Sequence, residues 1–472
     1  MKAEDFCFLT SVFNKLNFEQ IDLSFQSDFG VCMIITNGKV ITNDKNSTFY
    51  DNGAVYIKDN IIVDVGNSDE IKKHYKTETI LDAKGGIILP GFICTHSHIY
   101  SAYARGISVT KPTDNFFNVL ENLWWSLDSK LKEKDVELNA LTTYIDSIMN
   151  GVTTVIDHHS GPQSLDGSLF IIAEAAKKLG IRTSLCYEVT DRYGDDVRDR
   201  AIKENIAFIK DAQKNESDMI KGLFGLHASF TVSDETLYKV REAMEGVYDG
   251  YHIHVAEGLE DELLCLKKYK KRIVNRLFDF DILGERTIAA HCVHINAGEM
   301  DILKKTNTNV VHNPESNMNN AVGTTNVLKL LEKGIVVGLG TDAYTNDMYE
   351  SMKVAKILMS HEASDPTVGF AETKQMQFTN NPIILSKYFN KNLGVIEKGA
   401  YADIAVAEYN PPTPMHKDNW FGHLVFGLSG KQTIHTVING KIVMKDREVL
   451  GIDVDKIMSE SRIRAAEIWK EM

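Results

Sequence analysis

Residues 85–98 read GGIILPGFICTHSH, an apolar run entered through Pro90-Gly91 and closed by two histidines, His96 and His98. Side chains two apart on a strand share a face, so both imidazoles project to the same side. Two neutral imidazoles on one face begin a zinc-type site, which needs further ligands to close. Those ligands recur downstream: His254 in YHIHVAE, His291 and His294 in IAAHCVHI, His312 in VVHNPESN and Asp342 in VVGLGTDA. Each stands at or just past the end of a short apolar or β-branched run of the kind that forms buried parallel strands.

Segments of helical length, 257–277 and 297–305 among them, separate these runs, and strand-then-helix alternation gives βα units on a parallel sheet. Eight candidate strands end near His98, Asp157, Glu188, His227, Val255, His291, His312 and Thr341. The expected fold class is therefore α/β, a (β/α)8 TIM barrel with reactive side chains at the C-terminal ends of its strands. A connection of about fifty residues, 99–151, follows the first strand and is far longer than an ordinary βα loop. It holds NFFNVLENLWWSLDSKL, whose helical periodicity suits packing against the barrel or a second subunit, with a minority of residues over the pocket.

At 472 residues the chain exceeds one ordinary domain. No stretch has the length and apolarity of a membrane span, and no secretory signal pattern opens the chain. Six scattered cysteines without a CxxC suit a reducing cytoplasm and argue against a disulfide frame or thiolate ligation. A net charge of −13 and a pI near 5.6 disfavour nucleic acid and anionic membranes as partners.

The second unit is split between the chain ends. Residues 32–66 show strand-like runs around Asn37-Gly38 and Lys58-Asp59-Asn60, both read as hairpin turns. VINGKIV near the end echoes ITNGKVI near the start. The expected division is an N-terminal extension over 1–31, a composite β-sandwich from 32–84 and 396–450, the barrel over 85–395 and a C-terminal helix over 451–472.

PGFICTHSH, HVAE, AHCVH, HNPESNMNN, GLGTDA and EKGAYADIAV follow one another in the order found in the amidohydrolase superfamily, and the chain resembles its cytosine-deaminase-like and chlorohydrolase-like branch. NLWWSLD, VIDHH and CYEVTDR are most similar to aminohydrolases of the SsnA type. The resemblance spans residues 32 to about 450 and implies a metal-bearing barrel flanked by a split β-sandwich.

Chemistry and resemblance together give His96, His98 and His254 as nitrogen ligands and Asp342 as the anionic ligand of one divalent metal, zinc first, with Fe2+ or Mn2+ as alternatives. Such a cation lowers the pKa of bound water towards ~7. The resemblance implies that Glu257 protonates the ring nitrogen under attack, that His291 polarises the water, and that Asp342 also passes on its proton. It places His227 against the substrate and, because the fourth strand ends in His227 where binuclear relatives carry a carboxylated lysine, implies a single metal. Tyr100, His158, His159, Glu188 and Asn317 complete the candidate substrate contacts. The expected activity is hydrolysis of a C–N bond in a purine-like nitrogen heterocycle, with deamination ahead of ring opening of a cyclic amide or amidine. An inactive barrel serving as an assembly platform is the non-enzymatic alternative, disfavoured because the full ligand set is present. The expected partners are a small heterocycle and a second copy of the chain, most simply as a cytoplasmic dimer, with no nucleic acid or membrane.

Overall fold

The computed structural model describes residues 32–247 and 249–472, so the expected extension over 1–31 lies outside the described residues. The N-terminal part supplies β1 (Cys32–Ile41), β2 (Phe49–Lys58), β3 (Ile61–Asn67), β4 (Thr79–Asp82) and β5 (Ile87–Pro90). Lys58-Asp59-Asn60 makes the β2–β3 hairpin, with Asp59 at φ 56°. Asn37-Gly38 is not a turn. β1 runs straight through it, and Asn37 at φ 58° marks a bulge where the pairing with β2 shifts register.

The barrel strands follow: β6 (Phe92–Ser97), β7 (Val152–Asp157), β8 (Arg182–Leu185), β9 (Ile220–Gly222), β10 (Phe224–Ala228), β11 (Tyr251–Val255), β12 (Ile288–His291), β13 (Asn309–His312) and β14 (Val337–Leu339). β6 to β9 form one parallel sheet and β10 to β14 another. β9 and β10 are two halves of the fourth barrel strand, broken at Leu223. That seam is joined by Leu223 N–H to Leu185 O (3.0 Å) and His227 N–H to Val189 O (3.0 Å). The far seam is joined by Thr341 and Asp342 N–H to His96 O, each at 3.0 Å. Parallel pairing thus runs around the full ring of eight strands. Apart from the half-buried Lys221 of β9, their side chains are buried, as expected of strands with a filled interior and an outer layer of helices.

The C-terminal part adds β15 (Ile404–Ala407), β16 (Thr433–Ile438), β17 (Lys441–Lys445) and β18 (Glu448–Val449). The two ends of the chain build one nine-stranded sheet in the order β18-β17-β16-β15-β5-β1-β2-β3, with β4 alongside β1. The antiparallel β5–β15 pair, from Ile87↔Ala407 to Pro90↔Ile404, joins the halves. The chain therefore passes from sheet to barrel at Gly91 rather than at Gly85. A Cβ at Gly91 would sit 2.2 Å from Thr153 Cγ2, so the crossing leaves no room for a side chain. The helix Val454–Glu471 then packs on the helix Glu133–Met149, where Arg464 Nε and Nη2 reach Asp135 at 2.9 and 3.0 Å.

Candidate active site

His96 closes on the barrel mouth from β6 and His98 from just past it, His254 from β11 and Asp342 from just past β14. The ring nitrogens of His96, His98 and His254 lie within 4.8 Å of one another. His98 Nδ1 is 2.6 Å from the His158 carbonyl and His254 Nδ1 is 2.9 Å from the His227 carbonyl. A carbonyl only accepts, so both Nδ1 atoms carry the proton and both Nε2 atoms present lone pairs. Those two Nε2 atoms are 3.1 Å apart. His98 Nε2 is also 3.1 Å from Asp342 Oδ1, and buried His96 Nε2, without a hydrogen-bond partner, is 3.8 Å from the same oxygen. Lone pairs and a carboxylate converging in a buried space repel one another unless a cation sits among them. Three nitrogens and one oxygen are a fitting donor set for a zinc-like divalent ion.

The electrostatics agree. Burial, reinforced by neighbouring imidazoles, holds His96 and His254 neutral, well below the usual histidine range. Burial also opposes a proton on His98, but with no cation present the hydrogen bond and charge of Asp342 override it and raise that ring to about 9, so a second proton on Nε2 stands where a bound cation would take the lone pair. Asp342 draws positive charge to the spot that a cation would fill. Despite burial, its carboxyl stays below the ordinary range because of His98 and His291.

His291 and Glu257 face the same point. His291 Nε2 is buried without a hydrogen-bond partner, 3.5 Å from Asp342 Oδ2 and 3.7 Å from Glu257 Oε2. Its Nδ1 is 2.8 Å from Asn317 Oδ1. Asn317 is itself held by Thr325, whose hydroxyl donates to the His291 carbonyl at 2.8 Å. Burial pushes the Glu257 carboxyl up; His291 opposes and Asp342 adds to the rise. Glu257 does not open a helix: the helix spans Leu259–Tyr269 with Gly258 as its cap. A Cβ at Gly258 would lie 2.5 Å from Phe116, which fixes a glycine beside the acid. Ala256, His291, Cys292 and Asp342 all have positive φ, at 47°, 72°, 52° and 57°. Such backbone costs of order 1–3 kcal/mol per residue and collects where a site must be held in a set geometry.

The cavity above this cluster is walled by Tyr100, Phe116, Leu120, Trp124, Trp125 and Phe230, with Glu188, His227, Asp261 and Asn320 as polar members. The aromatic insertion thus lines the cavity with five residues as well as packing. Of the expected substrate contacts, Tyr100, Glu188 and His227 stand on the wall. His158 lies beneath it, Nε2 towards the carbonyls of Leu226 and His252. His159 is buried beside Tyr100 and Tyr187, and Asn317 sits behind His291. Sequence reasoning passed over His252, whose Nε2 is 2.8 Å from His96 Nδ1 and fixes that ring. The signal was present, since HIH at 252–254 repeats the spacing of HSH at 96–98. Asn320, 3.2 Å from Glu257 Oε1, and Ser316, bonded to Asp342, carried no comparable signal.

The model of the Amidohydrolase family matches residues 87–443. The 5'-deoxyadenosine deaminase of Methanosarcina mazei is 32% identical over 445 residues, covering 92% of this chain and 98% of its own. The 5-methylthioadenosine/S-adenosylhomocysteine deaminase of Thermococcus sibiricus is 32% identical over 416 residues, 87% of this chain and 94% of its own. Among solved structures, an adenosine deaminase of Xanthomonas campestris with bound zinc superposes with a TM-score of 0.83 at 20% identity, covering 93% of this chain and 99% of that one.

Proposed function

The chain belongs to the amidohydrolase family, and on that premise we propose that it is a metal-dependent deaminase of a purine-like amino heterocycle. The carrying observation is the convergence of the His98 and His254 lone pairs with Asp342, while Glu257 and His291 face the same point. Bound there, a divalent cation supplies a water acidified enough to act as hydroxide near neutral pH. Zinc is the proposed ion, supported by the nitrogen-rich donor set and by the zinc of the structural relative.

The chain's own residues do the rest. Tyr100, Trp124, Trp125 and Phe230 offer flat apolar faces to a planar ring. Glu257, its carboxyl pushed up by burial, donates to the ring nitrogen next to the attacked carbon. Asp342 Oδ2 and His291 Nε2 take up the proton of the nucleophile and return it to the amino group. The tetrahedral carbon then collapses: a C–O bond has formed, the C–N bond breaks, the hydroxyl proton returns to Glu257, and one water has exchanged a ring amine for a ring carbonyl with loss of ammonia. Among the described residues no helix is long and apolar enough to cross a membrane. A cytoplasmic homodimer is the proposed working form. The five described cysteines are all free, and Leu259 and Leu263 lie exposed on one helix face.

The test is ammonia release from aminated purines, pyrimidines and pterins, with the product mass checked. A gain of one mass unit per turnover with stoichiometric ammonia is expected. Addition of water with no ammonia would replace deamination by ring opening.

A further inference from the structure

Glu188 lies past the end of β8 and His227 on β10, so both approach the cavity from the third and fourth strand positions, whereas Glu257 stands at the fifth. The Glu188 carboxylate is 2% exposed. Arg192 Nη2 donates to its Oε1 at 2.7 Å, and the guanidinium is braced by Asp128 at 3.4 Å and lies over the Trp125 ring at 4.6 Å. The other oxygen, Oε2, has no hydrogen bond. His158 Nδ1 lies 3.4 Å away without a hydrogen bond to it, and His158 Nε2 faces two carbonyls.

His227 Nδ1 is 2.6 Å from the Thr231 hydroxyl, which donates its one proton to the Ala228 carbonyl at 3.1 Å. The hydroxyl therefore accepts from Nδ1–H, and His227 Nε2 is left as an acceptor. Two acceptors side by side, one of them a carboxylate fixed by an arginine, need donors from whatever fills the cavity. A buried acceptor left unmatched costs ~1–3 kcal/mol, more when it is charged.

Resting on the deaminase reading, we propose that Glu188 and His227 form the edge that selects the substrate, favouring amino heterocycles with ring N–H donors, such as lactam-bearing purines, over adenine nucleosides. In an adenine nucleoside N9 is substituted and N3 presents a lone pair, so that edge would meet two acceptors. This separates the chain from relatives named for adenine nucleosides. A second cation between Glu188 and His227 is the competing occupant, opposed by the Arg192 charge already on the carboxylate.

The test compares kcat/KM of the zinc-loaded wild type for guanine and isoguanine with that for 5'-deoxyadenosine and 5'-methylthioadenosine, and repeats it with Glu188→Gln. The amide keeps the shape of the acid but can donate. At least a tenfold wild-type preference for the better lactam base is expected, and the variant should shift that ratio towards the nucleosides by tenfold or more, chiefly through KM. Wild-type preference for the nucleosides overturns the proposal while leaving the deaminase reading standing, and so does loss of a second metal equivalent in the variant. Ammonia from none of the four overturns the proposal, and if the wider panel is also inert the deaminase reading falls with it. The wild-type ratio decides the matter even if the variant folds poorly.

Discussion

Glu257 and Asn317 carry opposite kinds of work in the same few ångströms. Glu257→Gln keeps volume and the Asn320 contact but removes the transferable proton. Turnover should fall at least about a hundredfold with metal content unchanged, the low end for acid–base catalysis. Metal analysis beside steady-state rates checks this, and near-normal kcat would return Glu257 to a packing role. Asn317→Ala takes the partner from His291 Nδ1 and frees the ring to turn or change tautomer. A fall in kcat of about tenfold with little change in KM is expected, the scale of a lost orienting bond. An unchanged kcat would mean that Thr325 and packing alone hold the ring. At this scale the sequence was most legible where residue type and spacing coincide with chemistry, as in HSH, HVAE and GLGTDA. It was least legible for Asn320 and Ser316, and for the orienting role of Asn317, which was expected against the substrate. They reach the site from the helix Pro314–Asn319 and the turn after it, and nothing in their types separates an orienting amide from a surface one.

Strand ends place the chemistry, and strands were readable because their apolar runs stop abruptly at polar or glycine residues. Two of the Asn-Gly pairs show the limit. Asn439-Gly440 makes the β16–β17 hairpin, with φ of 50° and 75°, as the turn chemistry demands. Asn37-Gly38 has the same letters in a similar context, yet β4 and β5 both pair with β1 and hold it extended, so long-range pairing overrides the local signal. Between elements, the helices Pro314–Asn319 and Met348–Ala363 meet at Glu315, whose Oε1 accepts from the Ser351 hydroxyl at 2.7 Å and whose Oε2 is buried unpaired. Burial pushes this carboxyl up to about 7. The folded state keeps the proton while the unfolded chain releases it near 4.5. Its stabilising contribution is therefore full below about pH 4.5 and lost as pH rises through 7. Thermal melts should show wild type losing more stability than Glu315→Gln between pH 5 and 8; parallel profiles would mean that the carboxyl titrates normally.

The molecule is one piece because the sheet made by both chain ends is bolted to the barrel. Arg182, at the start of β8 and fully buried, meets Asp403 at 3.0 and 3.2 Å and lies over the Tyr401 ring at 4.4 Å. Asp403→Ala strands a buried guanidinium and should destabilise the fold by about 3–5 kcal/mol. Denaturant melts check this, and a loss under 1 kcal/mol would mean that the two units stand without the pair. That joint was not legible in the sequence, since Arg182 and Asp403 are 221 residues apart in unrelated contexts. The barrel and the histidines at its mouth were. Whether one cation held by His96, His98, His254 and Asp342 drives deamination is decided by titrating chelator-stripped protein with Zn2+ while recording the rate of ammonia release from an amino heterocycle. The rate should rise in proportion to added metal and level off at one equivalent per chain. Full activity in the stripped protein, a plateau only at two equivalents, or no ammonia after loading would contradict it.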